Sequence, residues 1–176
     1  MPEGSVDATL LLATSWQALT RAKGGDERTM LCNCTVVVVF AAFFIEANLN
    51  HIIDEMGKTD EMFQFLGNRN AGLQHKLAWF YNHVVARQRA ATKREMYQNG
   101  IEIKLRRKFP GFDEIYNFRN NISHGIIDRN TANLDDAKRL RVNAKAIVDA
   151  LFKTATKAGY EIPRSITYEF AITAEV

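Results

Sequence analysis

The residues with the most chemistry in them stand together. Arg119, Asn120, Asn121, Ser123 and His124 fall within FRNNISHG, Phe118 to Gly125. Asn and Ser are indifferent helix formers, so the local stability of a helix does not ask for them. Asn120 and His124, four residues apart, share a helix face, whereas Arg119 lies about 140° from His124 on an ideal helix. A long arginine can swing toward that face, and Gly125 lets the backbone leave the helix at His124. The spacing therefore permits Arg119, Asn120 and His124 to converge near a helix C-terminus. Arg offers a permanent charge on a forked donor that suits phosphate, and His exchanges protons near neutral pH. That pair, without a metal, is sufficient to cleave RNA by attack of a ribose 2′-OH on its own phosphate. His would move the proton and Arg would steady charge on the phosphorane oxygens. A helix C-terminus attracts positive charge, so a histidine there suits an acid or phosphate contact better than a base. A plainer account competes: Arg119 pairs with Glu114 or Asp128, and His124 merely closes its helix.

Helices must position these residues. Five helical stretches can be drawn, without repeats or a domain-sized linker between them. The first covers about Val6 to Ala22, with Leu10, Leu11, Trp16 and Leu19 as core candidates and Gly24-Gly25 as its stop. The second covers about Met30 to Met56 and stops at Gly57. Its VVVV run alone reads as a strand, but Phe40, Phe43, Phe44, Ala47, Ile52 and Met56 keep a helical period. The third starts near Thr59 or Asp60, pauses at 67–72, and resumes with Leu73, Leu77, Phe80, Tyr81 and Val84 as its stripe. The fourth carries the motif after a break at Pro110-Gly111, with Asp113 as a candidate cap. The fifth begins at Asn133 or Asp135, repeats Leu134, Ala137, Leu140, Ala144, Ile147, Val148 and Leu151, and ends at Gly159. Ile166, Tyr168, Phe170 and Ile172 alternate with polar or small residues, a strand-like tail that needs a partner. The expected fold is all-α, an antiparallel bundle of four to five helices in one domain. Its core is expected over about 30–158, with an N-terminal extra helix over about 6–22 and an extended tail over 160–176.

Composition sets bounds on function. With 176 residues, 47% hydrophobic and 24% charged, the chain suits one sizeable core. Its net charge of +3 is compatible with a nucleic-acid partner without requiring one. Cys32 and Cys34 point about 200° apart on a helix, so they cannot share a metal, and they read as two buried small hydrophobes in a reducing cytoplasm. The N-terminus lacks the basic start of a secretory signal. The apolar run Leu31 to Ile45 is shorter than the ~20 residues that span a bilayer, so a buried helix, no membrane and a cytoplasmic location are expected.

The motif and its setting resemble the HEPN family (higher eukaryotes and prokaryotes nucleotide-binding domains). Arg119-Asn120-Asn121-Ile122-Ser123-His124 matches the family's R-x4-6-H motif, with a polar residue directly after the Arg and Gly125 following. The resemblance extends over roughly Val36 to Lys157. It implies a helical homodimer that brings two motifs face to face in one cleft, acting as a metal-independent endoribonuclease of toxin–antitoxin, phage-defence or RNA-processing systems. Arg119 and His124 would be catalytic, with Asn120 supporting them. The family's second helix often supplies an acidic or polar residue to the cleft. Here FIEANLN offers Glu46, with Asn50 one turn further on, and Glu46 would hold Arg119 in its productive orientation. Asn121 and Ser123 are expected beside the substrate. One subclass is regulated by modification of a Tyr two residues after the His; Ile126 stands there instead.

Between Arg87 and Lys108, eight basic residues face only Glu95 and Glu102. Either this is a solvated face, or it is a phosphate-tracking surface that includes Arg106, Arg107 and Lys108. Aromatic residues are sparse there, with Tyr97 alone among the charges, which argues against base stacking within that segment. His75 and His83 lie about 12 Å apart along one helix, too far to share a metal, and read as surface or core-edge histidines; His51 continues the face of the second helix, with an approach to the cleft as its lesser reading. No cofactor or metal is expected. The expected partners are RNA, a second copy of the chain, and an antitoxin or other protein. The competing expectations are a non-catalytic module that binds nucleotide, RNA or protein through the same cleft, and a purely structural dimer.

Overall fold

The structure, a computed structural model, describes residues 8–57, 72–81, 84, 111–124 and 133–164. The protein is an all-α helical bundle. Among the described residues the helices are α1 (Ala8–Ala22), α2 (Glu27–Gly57), α3 (Leu73–Phe80), α4 (Phe112–Ser123) and α5 (Leu134–Lys157). The expected third-helix start at Thr59 or Asp60, the basic segment 87–108 and the strand-like residues 165–176 lie outside the described residues, as do the side chains of His75, Trp79 and His83. The chain divides into two compact units. The first comprises Met1–Ala47, Gly111–Ala146 and Arg164–Val176; the second comprises Asn48–Pro110 and Ile147–Pro163.

In the first unit the core is built by α1, the first half of α2, α4 and the first half of α5. Leu11, Leu12, Ser15, Ala18, Leu19 and Ala22 are the buried positions of α1. Leu10 and Trp16, expected in the core, are exposed instead. The helix turns its small residues inward, which lets backbones approach, and buried Ser15 Oγ donates to the Val37 carbonyl of α2 at 3.2 Å. Expected as an extra helix, α1 is thus an integral wall of this unit.

Helix α2 starts earlier than its apolar pattern suggested. The Asp26 carboxylate accepts the Thr29 backbone N–H at 2.7 Å, so Glu27 opens the helix as an N-cap requires. The Thr29 side chain and then its backbone N–H hold the Asp26 carboxyl below its ordinary value. The stretch judged too short for a bilayer belongs to a helix of 31 residues, long and apolar enough by length and composition to cross one. The core helix of a globular protein passes the same test. Cys34, Val37, Ala41, Phe44, Ile45 and Leu49 lie on its buried face. Cys34 is buried, which pushes its thiol pKa up, but Cys32 is exposed rather than buried. The two-residue spacing itself sends the side chains to opposite faces.

Helix α4 begins at a glycine, with Gly111 at the N-cap position at φ 86°. Asp113, expected as the cap, lies inside the first turn together with Glu114, where negative charge complements the helix dipole. A side chain at Gly111 would be strained and would strike Asn143 of α5. Glycine therefore permits both the turn and the close approach of these two helices.

The ends of α5 follow the sequence closely. Asn133 caps it, with Oδ1 accepting the Asp136 backbone N–H at 2.8 Å and Nδ2 donating to the Asp136 carboxylate at 2.7 Å. At the other end Gly159, φ 94°, allows Tyr160 N–H to reach the Ala155 carbonyl and Gly159 N–H to reach Thr156. Six of the seven expected stripe residues are buried, Leu134 being half-buried at the helix start. In the second unit Leu49, Ile52, Ile53 and Met56 of α2, Leu73, Leu77 and Phe80 of α3, and Ile147, Val148 and Leu151 of α5 are buried; Tyr81 is half-buried.

Asp136 also accepts from Arg139 at 2.7 Å, and Arg139 donates in addition to Glu114 of α4. Arg139 first, and Asn133 second, hold the Asp136 carboxyl below its ordinary value. A depressed folded-state pKa stabilises the fold above the unfolded value, ~3.9, and that stabilisation is lost as pH falls below it. The thermal midpoint is therefore expected to drop on acidification below about pH 4, and Asp136→Asn to flatten that limb. The Asp136 side chain is 36% exposed, so solvent screening keeps the effect small. A melting series across pH checks it, and identical acid limbs in both proteins would refute it.

Candidate functional site

Arg119 occupies an unusual position on α4. Phe112, Ile115 and Arg119 follow at i, i+3 and i+7, the spacing of one helix face, and Phe112 and Ile115 are buried. An arginine thus stands where the amphipathic pattern asks for a hydrophobe. The site is built where that face meets α2, within the first unit.

On α2, Glu46 lies at the margin of the buried face. Arg119 Nη2 and Glu46 Oε2 are 3.8 Å apart, with the two side chains 31% and 25% exposed. The guanidinium carbon also lies 5.9 Å from the ring centre of Phe43, one turn before Glu46. The 3.8 Å separation is an ion pair beyond direct hydrogen-bond length, and the ring contact sits at the outer range of cation–π attraction. Neither contact fixes the guanidinium strongly, but together they flank it with a carboxylate and an aromatic ring. Both side chains are partly exposed, so solvent and solutes reach them. Glu114, named as the plainer partner of Arg119, is engaged by Arg139 instead.

His124 is the C-cap of α4, at φ −94° and ψ 9°, and it is exposed. Its backbone N–H is shared among the carbonyls of Asn120, Asn121 and Ile122, which ends the helix without drawing on the imidazole. Asn120 is half-buried and Asn121 exposed. The backbone of Ser123 closes the helix, while its side chain and Gly125 lie outside what is described.

The remaining expected residues fall elsewhere. Asn50 is in the second unit, where its Oδ1 accepts from the nearly buried Lys76 Nζ at 2.7 Å. That bond gives Asn50 a structural task, because a buried ammonium needs an acceptor. His51 is also in that unit. Its Nε2–H donates to the Pro163 carbonyl at 2.9 Å, and its ring lies beside Phe152. Arg106, Arg107 and Lys108 lie outside the described residues. Sequence reasoning passed over Phe43, assigned to the core as part of a regular apolar pattern, and Lys76. The usable signal for Lys76 was its place between Leu73 and Leu77 on an otherwise apolar stripe.

The fold and the site define a helical protein with a carboxylate–arginine pair at an exposed aromatic ring, its arginine carried by a helix that ends at an exposed histidine. Compared with family models, curated proteins and solved structures, the chain has no match.

Proposed function

We propose that this chain is a cytoplasmic, metal-independent endoribonuclease of the HEPN type, working as a homodimer. In this reading it is a toxin or defence effector restrained by an antitoxin or other protein partner. The observation that carries it is Arg119, held beside Glu46 in a half-exposed position, on the helix that ends at exposed His124. In the proposed reaction the ribose 2′-OH loses its proton and attacks the adjacent phosphorus. The P–O5′ bond breaks, and the leaving 5′ oxygen takes up a proton. The products carry a 2′,3′-cyclic phosphate and a 5′-OH. Arg119 binds the non-bridging oxygens as their charge grows, and His124 supplies a proton or contacts the phosphate. Asn120 orients the pair. In a dimer, two copies of His124 divide the acid and base roles.

The test incubates wild type and His124→Ala with total cellular RNA in EDTA and maps the cleaved ends chemically. Cyclic-phosphate ends made by wild type alone are expected. Equal cutting by both proteins points to a contaminating nuclease or another site. No cutting by either, with RNA still bound, transfers the assignment to a non-catalytic binding module. That second reading has its own support, since the Glu46 carboxylate already offsets part of the Arg119 charge.

Glu46 acts in this reading as a positioning residue. Glu46→Gln and Glu46→Ala remove the carboxylate charge beside Arg119, and kcat is expected to fall by about tenfold. KM should stay level or decrease, because a negative charge near the phosphate has gone. Unchanged kcat and unchanged mobility of Arg119 by NMR relaxation would refute the assignment.

A further inference from the structure

Phe43 and Phe44 are sequence neighbours with opposite fates. Phe44 is fully buried, whereas Phe43 is 38% exposed in the first unit. Phe40, one turn earlier, meets the Phe43 ring edge-on at 6.1 Å and 73°, which holds its orientation. The Arg119 guanidinium lies over the same ring, its carbon 5.9 Å from the ring centre. An oriented, partly exposed aromatic ring is thus placed next to a cation suited to phosphate.

We infer that Phe43 is a stacking platform for an unpaired base of single-stranded RNA, whose neighbouring phosphate lies at Arg119. The inference deepens the ribonuclease reading above and rests on its assignment of Arg119 to phosphate. A nucleotide brings both required features one ribose apart: a π-face for the ring and an anion for the guanidinium. An apolar protein surface seated on Phe43 would instead cover the Glu46–Arg119 pair and remove it from water, at a desolvation cost its own contacts do not offset. Because a base in a duplex is already stacked on its neighbours, the platform selects single strands and loops. Every base has a π-face, so the platform does not by itself choose a sequence. It also adds a stacking surface to a chain whose basic segment 87–108 carries Tyr97 as its one aromatic residue.

The test uses full-length wild type, Phe43→Leu and Phe43→Tyr, with fluorescently labelled 2′-O-methyl decamers that cannot be cleaved through a 2′-OH. Fluorescence anisotropy is read for an adenosine decamer, the same decamer in a duplex, and an abasic decamer with the same phosphates. Wild type is expected to favour the single strand over the other two. Phe43→Leu should weaken adenosine-decamer binding about tenfold, the scale of losing one stacked base. It should leave abasic binding and the thermal midpoint unchanged, and Phe43→Tyr should restore the affinity. Absence of saturable binding by wild type overturns the inference, as does equal affinity of wild type and Phe43→Leu. So does a loss that coincides with dimer dissociation in sedimentation, which would place Phe43 in a subunit interface. The two readings fail separately. Stacking without any RNA cleavage removes the nuclease reading alone, while normal cleavage with Phe43-independent binding removes the platform alone.

Discussion

Under the proposed ribonuclease reading, cleavage of RNA in EDTA is expected to fall by roughly two to four orders of magnitude when His124 becomes alanine, the range for removing a positioned proton-transfer group. His124 lies exposed at the C-cap of α4, and its backbone N–H bonds the last carbonyls of the helix. Truncating the imidazole therefore removes chemistry with little loss of fold, and the thermal midpoint should stay within a few degrees of wild type. A cleavage loss without a stability loss is the informative pattern. Arg119→Lys provides a second reading of the same reaction. It retains the charge but loses the planar fork, so RNA affinity should survive better than kcat. His124→Ala cutting at the wild-type rate, with cyclic-phosphate ends in both, would remove His124 from the mechanism.

Phe44→Ala is expected to destabilise the protein by about 3–5 kcal/mol. Phe44 is completely buried on α2, and removing its ring leaves a cavity that the surrounding helices fill only in part. Against a total stability of ~5–15 kcal/mol, that is a large fraction. For a chain of this size it corresponds to a drop in the thermal midpoint of roughly 6–20 °C. Phe43→Leu, one residue earlier, exchanges one partly exposed hydrophobe for another and should change stability by no more than about 0.5 kcal/mol. Denaturant melts of the two variants check the contrast. Equal losses would mean that the inward face of α2 is not the one described.

The boundaries of α5 were legible because local chemistry writes them. Asn133 can bond its own helix start, Gly159 can enter the left-handed region, and the apolar stripe between them repeats at helical spacing. The start of α2 is less legible, because its apolar pattern begins only at Met30 while Asp26 already caps the chain. Large side chains likewise point to Leu10 and Trp16 as core, where α1 in fact presents Ser15, Ala18 and Ala22. Size ranks the area a residue can bury, but helix approach favours small residues at the contact.

For the candidate site, the sequence by itself determined the motif, its place at a helix end, and the residue types able to handle phosphate and protons. These follow from side-chain chemistry and from the period of a single helix. Only the tertiary structure decided that Arg119 meets Glu46 rather than Glu114, that Asn50 is engaged by Lys76, and that Phe43 rather than Phe44 is left partly in water. Each of those outcomes depends on which helix lies across from which. A helical period tells which residues share a face, but the partner of that face is chosen by contacts between segments distant in sequence, and no local pattern encodes them.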